Sequence, residues 1–373
     1  GQMPESALGV SASGPLTLVF RLNSADENFL SKLTLPGAMP CDEEFFNSTR
    51  GTYGLTAKTT LSSGPFYLYN WTSGGLFLRR EPSGTLIDSL RLVQNTNNAD
   101  QSAVELVNGE KCSAALDDTG STTSLSSISY SDTTWALLFN CNTLFSSTEL
   151  RQSLAGVARE AAVVPSTGLF AAADGLIPDG LNVDGMNYRS TVGDVSPAAV
   201  DVRALYLSAR QGMANSDFNK VTLMIPAGSG LTEAAETING AWQKELSLFF
   251  SIEEVDEETF QKRLSEGDYT IALAPISAES GSVYSMLAQF TTAGGNLTGY
   301  ANALYATQLE ASTHATGAAR CRLLGECERQ LLSDCVAVPL FSQQKRLLVA
   351  SGIKGLIFDP FGPVLDLTYT TKE

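Results

Sequence analysis

The chain has 373 residues, 43 % of them hydrophobic and 17 % charged, which is typical of a folded globular protein. Single hydrophobic cores rarely grow beyond about 250 to 300 residues, so two domains are expected. The formal net charge of -16 argues against nucleic acid or an anionic membrane as a partner, because both would repel the chain. No stretch is apolar over the roughly 18 to 20 residues that a bilayer crossing needs, and residues 1–5 do not begin a signal peptide. We therefore expect either a cytosolic protein or a targeting segment outside this chain.

Six cysteines and a single histidine, His314, limit the available chemistry. The cysteines form no Cys-x-x-Cys pair and there is only one histidine, so a zinc site is not expected. No other metal or cofactor is predicted. Cys321, Cys327 and Cys335 fall in a predicted helix, where a separation of six residues places two side chains on different faces. We expect these three to be buried free thiols.

The first third of the chain is predicted to be rich in strands. Apolar residues alternate along 16–22 with the period of a half-buried strand. The following elements are predicted next: strands at 65–71, 75–80 and 86–93, a helix at 100–108, a polar loop at 117–134 and a strand at 135–139.

After Asn140 the pattern changes to alternating helices and strands. Residues 146–149 fit a capping box, and apolar residues at helical spacing follow them. Strands 220–226, 248–255 and 269–275 then alternate with helices 231–246 and 257–265. Helices 282–290, 301–312 and 317–334 follow, and strands 336–341 and 345–350 close the region. This order indicates βαβ crossovers and a parallel sheet.

Enzymatic function is weakly supported by these residues. His314 has no Ser or Cys in a nucleophile-elbow pattern to activate. The acidic runs 42–44 and 253–258 are typical of solvated surface or of helix N-termini. A secreted hydrolase that depends on paired carboxylates stays open as an alternative.

Several short motifs follow one another in the order that they have in a known family. Residues 138–140 and 150–154 are similar to its "fN … vRqAl" block, and residues 63–66 with Trp71 resemble its "S.GPY.l..W" hairpin. Further matches, to "LGV.A...TL", "dw", "gdyd", "n.tgy" and "iPly", lie at 7–18, 241–242, 267–271, 296–300 and 338–341. The ordered set resembles the peptide and nickel class of extracellular solute-binding proteins, which holds the oligopeptide and dipeptide binders of ABC importers.

This resemblance implies an α/β, two-lobed fold like that of class II periplasmic binding proteins. The first lobe, of mixed α and β structure, would comprise residues 1–135 and 346–373. The second, α/β lobe would comprise residues 136–345, joined to the first by a two-strand hinge. Members of the family are longer, so the N-terminal part of the first lobe is expected to be missing here.

The resemblance also implies a function without catalysis. The protein would capture a peptide between its lobes by hinge closure and present it to the permease subunits of an ABC importer. It would be a monomer in the periplasm or a lipoprotein at the cell surface. Dipeptide binders carry an Arg near the strand that residues 221–226 match, whereas residues 225–230 contain no basic residue, which favours longer peptides.

The resemblance also implies which residues of this chain bind the ligand. An acid after the strand matched by residues 268–275 pairs with the ligand's α-ammonium, and Glu279 falls there, after Ser277 and Ala278. This chain departs from the family pattern in having Glu for Asp and Ile276 for an aromatic residue. Four more residues near the expected cleft are candidates for ligand contact, with hinge or core structure as the other interpretation: Tyr284, Asn140, Asn296 and Phe341. Nickel complexes, oligosaccharides and a surface protein without ligand stay open as alternatives.

Overall fold

The computed structural model describes residues 9–22, 29–33, 36–93, 101–117, 120, 123–166, 170–278, 281–360 and 365–373. None of the helices in these ranges combines the length and apolar character that a membrane crossing requires.

The first elements form two small antiparallel sheets and short helices. They are β1 (Val10–Gly14), β2 (Thr17–Phe20), α1 (Phe29–Lys32), α2 (Glu43–Ser48), β3 (Tyr67–Thr72), β4 (Gly75–Arg79) and β5 (Ser89–Leu92). Strands β1 and β2 form a hairpin, and β3, β4 and β5 form a three-stranded sheet. Strands β2 to β5 overlap predicted strands, whereas β1 was not predicted. Hydrogen bonds from Arg80 Nη1 to Thr368 O (2.7 Å) and from Ile87 N to Thr370 O (2.9 Å) tie this part to the end of the chain.

The next elements lead into the main sheet. They are α3 (Ala103–Asn108), β6 (Ala114–Asp117), β7 (Ser126–Phe139), α4 (Thr148–Ala161), β8 (Phe170–Ala172), β9 (Asn182–Val183), β10 (Met186–Asn187), α5 (Tyr188–Val192) and α6 (Val202–Ala209). Helix α4 begins at the predicted place, although the residue whose side chain caps it is Ser147, which accepts from Leu150 N at 3.2 Å. The predicted loop at 117–134 is wrong for its second half, because β7 already begins at Ser126. Its Ser and Thr residues pair with β14, a long-range contact that local composition does not reveal.

The remaining elements confirm the predicted alternation from β11 to β13. They are β11 (Thr222–Pro226), α7 (Thr232–Leu246), β12 (Ser251–Val255), α8 (Glu257–Glu266), β13 (Ile271–Ser277), α9 (Val283–Ala288), α10 (Ala303–Thr313), α11 (Gly317–Ser333), β14 (Ala337–Val349), β15 (Ile353–Lys354), β16 (Ile357–Phe358), β17 (Leu365–Asp366) and β18 (Thr371–Lys372). Helix α8 shows the local cause: the Asp256 carboxylate accepts from Thr259 N (2.9 Å), and Gly267 ends the helix at φ +69°. The two strands predicted at 336–341 and 345–350 are one strand, β14, which continues through two register shifts.

The main sheet is mixed, with strand order β12-β11-β13-β7-β14-β6, and β8 pairs with β14. Strand β11 is parallel to β12 and β13, as predicted, whereas β7 is antiparallel to both of its neighbours, β13 and β14. Alternate residues of β7 enter different cores: Ala136 and Leu138 pack on one face of the sheet, and Leu137 and Phe139 on the other. The sheet is therefore covered on both faces, as α/β folds require.

Each face has its own set of helices. Helices α4, α6 and α7 contribute to the core that contains Leu137, in which Trp242 is fully buried and its Nε1 donates to Leu154 O at 2.9 Å. Helices α8 to α11 contribute to the core on the opposite face. Both cores lie within residues 135–341, whereas a third, smaller cluster joins Ala103 and Val107 of α3 to Leu348 of β14. The lobe boundaries derived from the resemblance stay a prediction.

Helix α11 carries a fully buried carboxylate, that of Glu328. It accepts hydrogen bonds from Leu176 N (2.8 Å), Ile177 N (3.1 Å) and Tyr188 Oη (2.8 Å). It also forms an ion pair with Arg189 Nη2 at 2.8 Å. Burial, and after it the negative charge of Glu328, raises the pKa of Tyr188 well above its ordinary value. This network fastens the segment between β8 and β9 to α11.

Candidate functional site

Two long paired strands, β7 and β14, change from apolar to polar residues at the same level of the sheet. Within the cores they are apolar, but beyond Trp135 and Phe341 they carry hydroxyl, amide and charged side chains. Four of the hydroxyl side chains are buried: Ser131, Thr133, Thr134 and Ser342. Burial of polar groups is costly unless they are hydrogen-bonded, so a buried polar band across two central strands is an unusual feature. We call residues 130–134 and 342–345 the polar band.

Hydrogen bonds join the strands within this band. Ser131 Oγ lies 2.7 Å from Ser342 Oγ across the β7–β14 pair, and Trp135 Nε1 donates to Gln343 Oε1 at 3.1 Å. The hydroxyl of Thr134 is buried and has no hydrogen-bond partner among the described residues. The band therefore holds at least one polar group that no described residue satisfies.

One ion pair lies in the polar band. The Lys345 ammonium donates to both carboxylate oxygens of Asp132, each at 2.8 Å. Both side chains are partly exposed, 22 % for Asp132 and 31 % for Lys345. Burial, and secondarily the charge of Asp132, raises the pKa of the adjacent Tyr130. Charged groups of both signs are thus accessible at the band.

The predicted binding segment adjoins the polar band. Ser277, the last residue of β13, is exposed, and its Oγ lies 3.0 Å from Thr133 Oγ1. The backbone N–H of Ala278, whose side chain is buried, donates to Asp132 O at 2.9 Å. Glu279, the predicted ammonium ligand, lies outside the described residues.

Tyr284 and Phe341 are placed differently from each other. Tyr284, on α9 shortly after the predicted binding segment, is half-buried and packs against the core that contains Ala278. Phe341 is 1 % exposed and its ring packs edge-on against Phe170 in the opposite core. The contacts of Phe341 are those of a core residue, which was one of its two interpretations.

Asn140 and Asn296 lie at the other end of β7 and β13, away from the polar band. The Asn140 side chain donates to Gly267 O and Tyr269 O, both at 2.9 Å. The Asn296 Nδ2 donates to Tyr300 O at 3.1 Å, whereas its Oδ1 is buried without a partner among the described residues. The structure therefore does not bring these two amides together with Ser277 and Ala278.

Asn140→Ala is expected to lower the free energy of unfolding by about 1–3 kcal/mol, because two main-chain carbonyls, of which that of Tyr269 is buried, lose their donor. Ligand capture per folded molecule is expected to be unchanged. Chemical denaturation checks the first expectation. Asn142→Ala is the matched control, since Asn142 is exposed and its bond with Asn140 is made by its backbone, whose N–H donates to Asn140 Oδ1 at 3.0 Å. A loss of ligand capture with unchanged stability would indicate that Asn140 contacts the ligand.

Nucleophilic catalysis has little support in the geometry. The ring of His314 is 52 % exposed, and its nearest acid is Glu310, 3.8 Å away on the preceding turn of α10. Cys321, Cys327 and Cys335 are free and buried, as predicted. Burial raises the pKa of Cys327 to about 12, which keeps this thiol protonated and unreactive near neutral pH.

The family model for bacterial extracellular solute-binding proteins, family 5 Middle, matches residues 2–298. The chain belongs to this family. The resemblance to the peptide and nickel class seen in the sequence is thereby confirmed. No curated protein sequence matches the chain.

Solved structures agree on the fold of this family 5 protein. The substrate-binding domain of an oligopeptide ABC transporter from Bacillus anthracis str. Ames superimposes with a TM-score of 0.70 and 21 % identity, over 100 % of this chain and 77 % of that chain. A putative peptide binding protein AppA from Clostridium difficile gives a TM-score of 0.73 and 17 % identity, over 98 % and 78 %. The pheromone receptor PrgZ, whose mode of peptide binding is described, gives 0.70 and 20 %, over 99 % and 76 %. The predicted α/β two-lobed fold is confirmed.

The polar band is not predicted by the sequence. Asp132, Thr133 and Lys345 are not among the predicted site residues, because the polar composition of the stretch before Trp135 is typical of a loop. A usable signal was present: two apolar strand segments, 135–139 and 336–341, each border a run of polar residues. Only the pairing of β7 with β14 shows that the two polar runs coincide.

Proposed function

We propose that this family 5 protein is the extracytoplasmic substrate-binding component of an ABC importer, and that it captures peptides between two lobes that close by hinge bending. The observation that carries the proposal is the polar band, which interrupts the two longest strands of the sheet beside the end of β13. Hydroxyl and amide groups there offer hydrogen bonds to a peptide backbone. An extended peptide bound in this way is held with little dependence on its sequence.

The proposed hinge consists of β7 and β14 where they pass through the polar band. Each strand has one extra residue near the band. In β14 it is Leu340, and in β7 it is Asp132, which lies opposite the step from Gln343 to Gln344. Bulges of this kind bend strands and are frequent next to functional sites. A few residues that absorb a backbone change are enough for domain closure around a ligand.

The proposed contacts centre on the segment after β13. Glu279 is assigned to the ligand's α-ammonium, with Ser277, Ala278 and Tyr284 alongside it. Asn140, Asn296 and Phe341 are assigned to support of the strands rather than to ligand contact, in view of their burial and internal bonds. Peptides longer than dipeptides are the proposed ligands, since residues 225–230 hold no basic group for a nearby carboxylate.

The remaining parts of the proposal follow from the family. The partners are the permease subunits of the importer, which recognise the closed form, and the protein acts as a monomer. Its location is outside the cytoplasm, in the periplasm or attached to the membrane as a lipoprotein. The net charge of -16 favours neutral or cationic peptides over acidic ones during encounter.

Glu279→Gln is expected to weaken peptide binding by roughly ten- to more than a hundred-fold, because a charge-assisted hydrogen bond contributes about 1.5–3 kcal/mol. The measurement is mass spectrometry of peptides released by denaturation from the purified protein and from the variant. Peptides are expected from the parent and to be scarce in the variant.

The matched control is Glu266→Gln. Glu266 is an exposed residue of α8, which precedes β13, whereas Glu279 follows that strand. Equal peptide yields from all three proteins would contradict the role of Glu279 while leaving peptide capture in place. An absence of peptides from the parent, together with bound sugars or nickel complexes, would contradict the proposed ligand class.

A further inference from the structure

The Asp132–Lys345 pair occupies a specialised position in the sheet. In the strand register, Gln343 lies opposite Thr133, and Gln344 lies opposite Ser131. Asp132 is therefore an extra residue in β7, with no residue of β14 opposite it in the ladder. Such a bulge re-aims a side chain relative to the regular alternation of a strand. The Asp132 carboxylate is thereby placed in the polar band, where it is 22 % exposed.

The two members of this pair differ in how firmly they are held. The Asp132 carboxylate lies on a short side chain and accepts from Thr133 Oγ1 at 2.8 Å. The main-chain O of Asp132 accepts from Ala278 N at 2.9 Å. The Lys345 ammonium lies at the end of a flexible four-carbon stem, is 31 % exposed, and is bound in the structure through Asp132. Asp132 is therefore a fixed anion, and Lys345 is a cation that can withdraw into solvent.

A partly exposed ion pair of this kind contributes only about 0–1 kcal/mol to stability, so stability alone accounts poorly for it. The same geometry is a good receptor for a primary ammonium. Both carboxylate oxygens lie 2.8 Å from one Nζ atom, and the Thr133 hydroxyl donates to one of them at 2.8 Å. The lysine of the chain thus shows the chemical group that fits the site.

We propose that Asp132 is a specificity residue that binds the side-chain ammonium of a lysine-containing peptide, and that Lys345 is an internal competitor which the ligand displaces. The inference rests on the proposed function and deepens it by naming a ligand class. Asp132 is separate from Glu279, which is assigned to the α-ammonium. The ligand's side chain replaces Lys345 in the contact with both oxygens, and the displaced ammonium moves into solvent. The strongly negative net charge increases the local concentration of such cationic peptides.

The experiment uses a mixture of tri- to hexapeptides with free N-termini, in which every lysine-containing peptide is matched by its Nε-acetyl-lysine form. Peptides captured by the whole protein are quantified by mass spectrometry. The wild-type protein is expected to prefer the lysine form. Asp132→Asn is expected to reduce that preference about ten-fold or more, since a charge-assisted bond is lost. Lys345→Gln is expected to increase it about two- to five-fold, because a competing ion pair is removed.

The two single variants are expected to change the preference for lysine peptides in opposite directions, which distinguishes ligand binding by Asp132 from a purely structural role of the pair. If the pair only stabilised the strands, the two single variants would change capture in the same direction, and the double variant Asp132→Asn/Lys345→Gln would recover. The double variant is instead expected to resemble Asp132→Asn. Thermal unfolding of each variant verifies that it is folded. The control Lys354→Gln breaks an exposed pair with Glu373 (2.7 Å) and is expected to leave the preference unchanged.

Two results would overturn the inference, and they differ in what they say about the proposed function. Capture of peptides with no preference for lysine, or with equal effects of the two single variants, would remove the role of Asp132 and leave peptide binding intact. Capture of no peptide by the wild-type protein would overturn both.

Discussion

Glu328→Leu is expected to lower the free energy of unfolding by about 3–5 kcal/mol, because it leaves a partly buried cation and buried N–H donors without their acceptor. The carboxylate accepts from two backbone N–H groups, those of Leu176 and Ile177, and from the Tyr188 hydroxyl. Arg189, whose side chain is 17 % exposed, would lose its ion-pair partner. Urea denaturation followed by far-UV circular dichroism measures the change.

A matched substitution on the same helix provides the control. Glu326 pairs with Arg322 at 2.9 Å, but both side chains are accessible, with exposed fractions of 33 % and 65 %. Glu326→Leu is therefore expected to change stability by no more than about 0.5 kcal/mol. Similar losses for the two variants would mean that the buried network around Glu328 contributes no more than a surface pair. That outcome would contradict its role in fastening the β8–β9 segment to α11.

Trp242→Ala is expected to destabilise the protein by about 3–5 kcal/mol, the usual cost of removing a large buried aromatic side chain. Trp242 is fully buried in α7, its ring packs against Phe250 at 5.4 Å between centroids, and its Nε1 donates to Leu154 O of α4. The variant leaves a cavity between two helices and removes the hydrogen bond that joins α7 to Leu154 of α4. The midpoint of urea denaturation, again by far-UV circular dichroism, reports the effect.

Two further substitutions divide this effect into its parts. Trp242→Phe keeps most of the apolar volume and removes the donor, so a loss of about 1–2 kcal/mol is expected. Trp71→Ala removes the same side chain from a position that is 47 % exposed, and a change within about 0.5 kcal/mol is expected. If Trp71→Ala proved as costly as Trp242→Ala, the β3–β4–β5 sheet would contribute a core that its exposure does not indicate.

Local signals in the sequence were sufficient for most helices and for the parallel strands. Helix α8 has its own cap at Asp256 and its own stop at Gly267, so its limits were predicted to within a residue. The apolar stripe of α7, which includes Ile238 and Trp242, predicts the face that is now buried. Such signals act over one to four residues and need no knowledge of the rest of the chain.

Signals that depend on distant partners were not sufficient. The strand β7 was predicted only from Trp135 onward, because its first half is polar and gains its regular structure from pairing with β14. The single long strand β14 was predicted as two, since its polar middle resembles a break. Local propensity does not report a ladder whose two strands are more than 200 positions apart in sequence.

Residue patterns along the chain are sufficient for the composition class, the alternating α/β order and, through ordered motifs, the family. They also predict a binding segment after β13, where Ser277 and Ala278 lie. The contact between Asp132 and Lys345 is visible only in the folded chain, because the two residues are 213 positions apart and their contact depends on one register shift between two strands. A shift of one residue turns a side chain to the other face of a sheet, so the composition of this site is a property of strand register and not of local sequence.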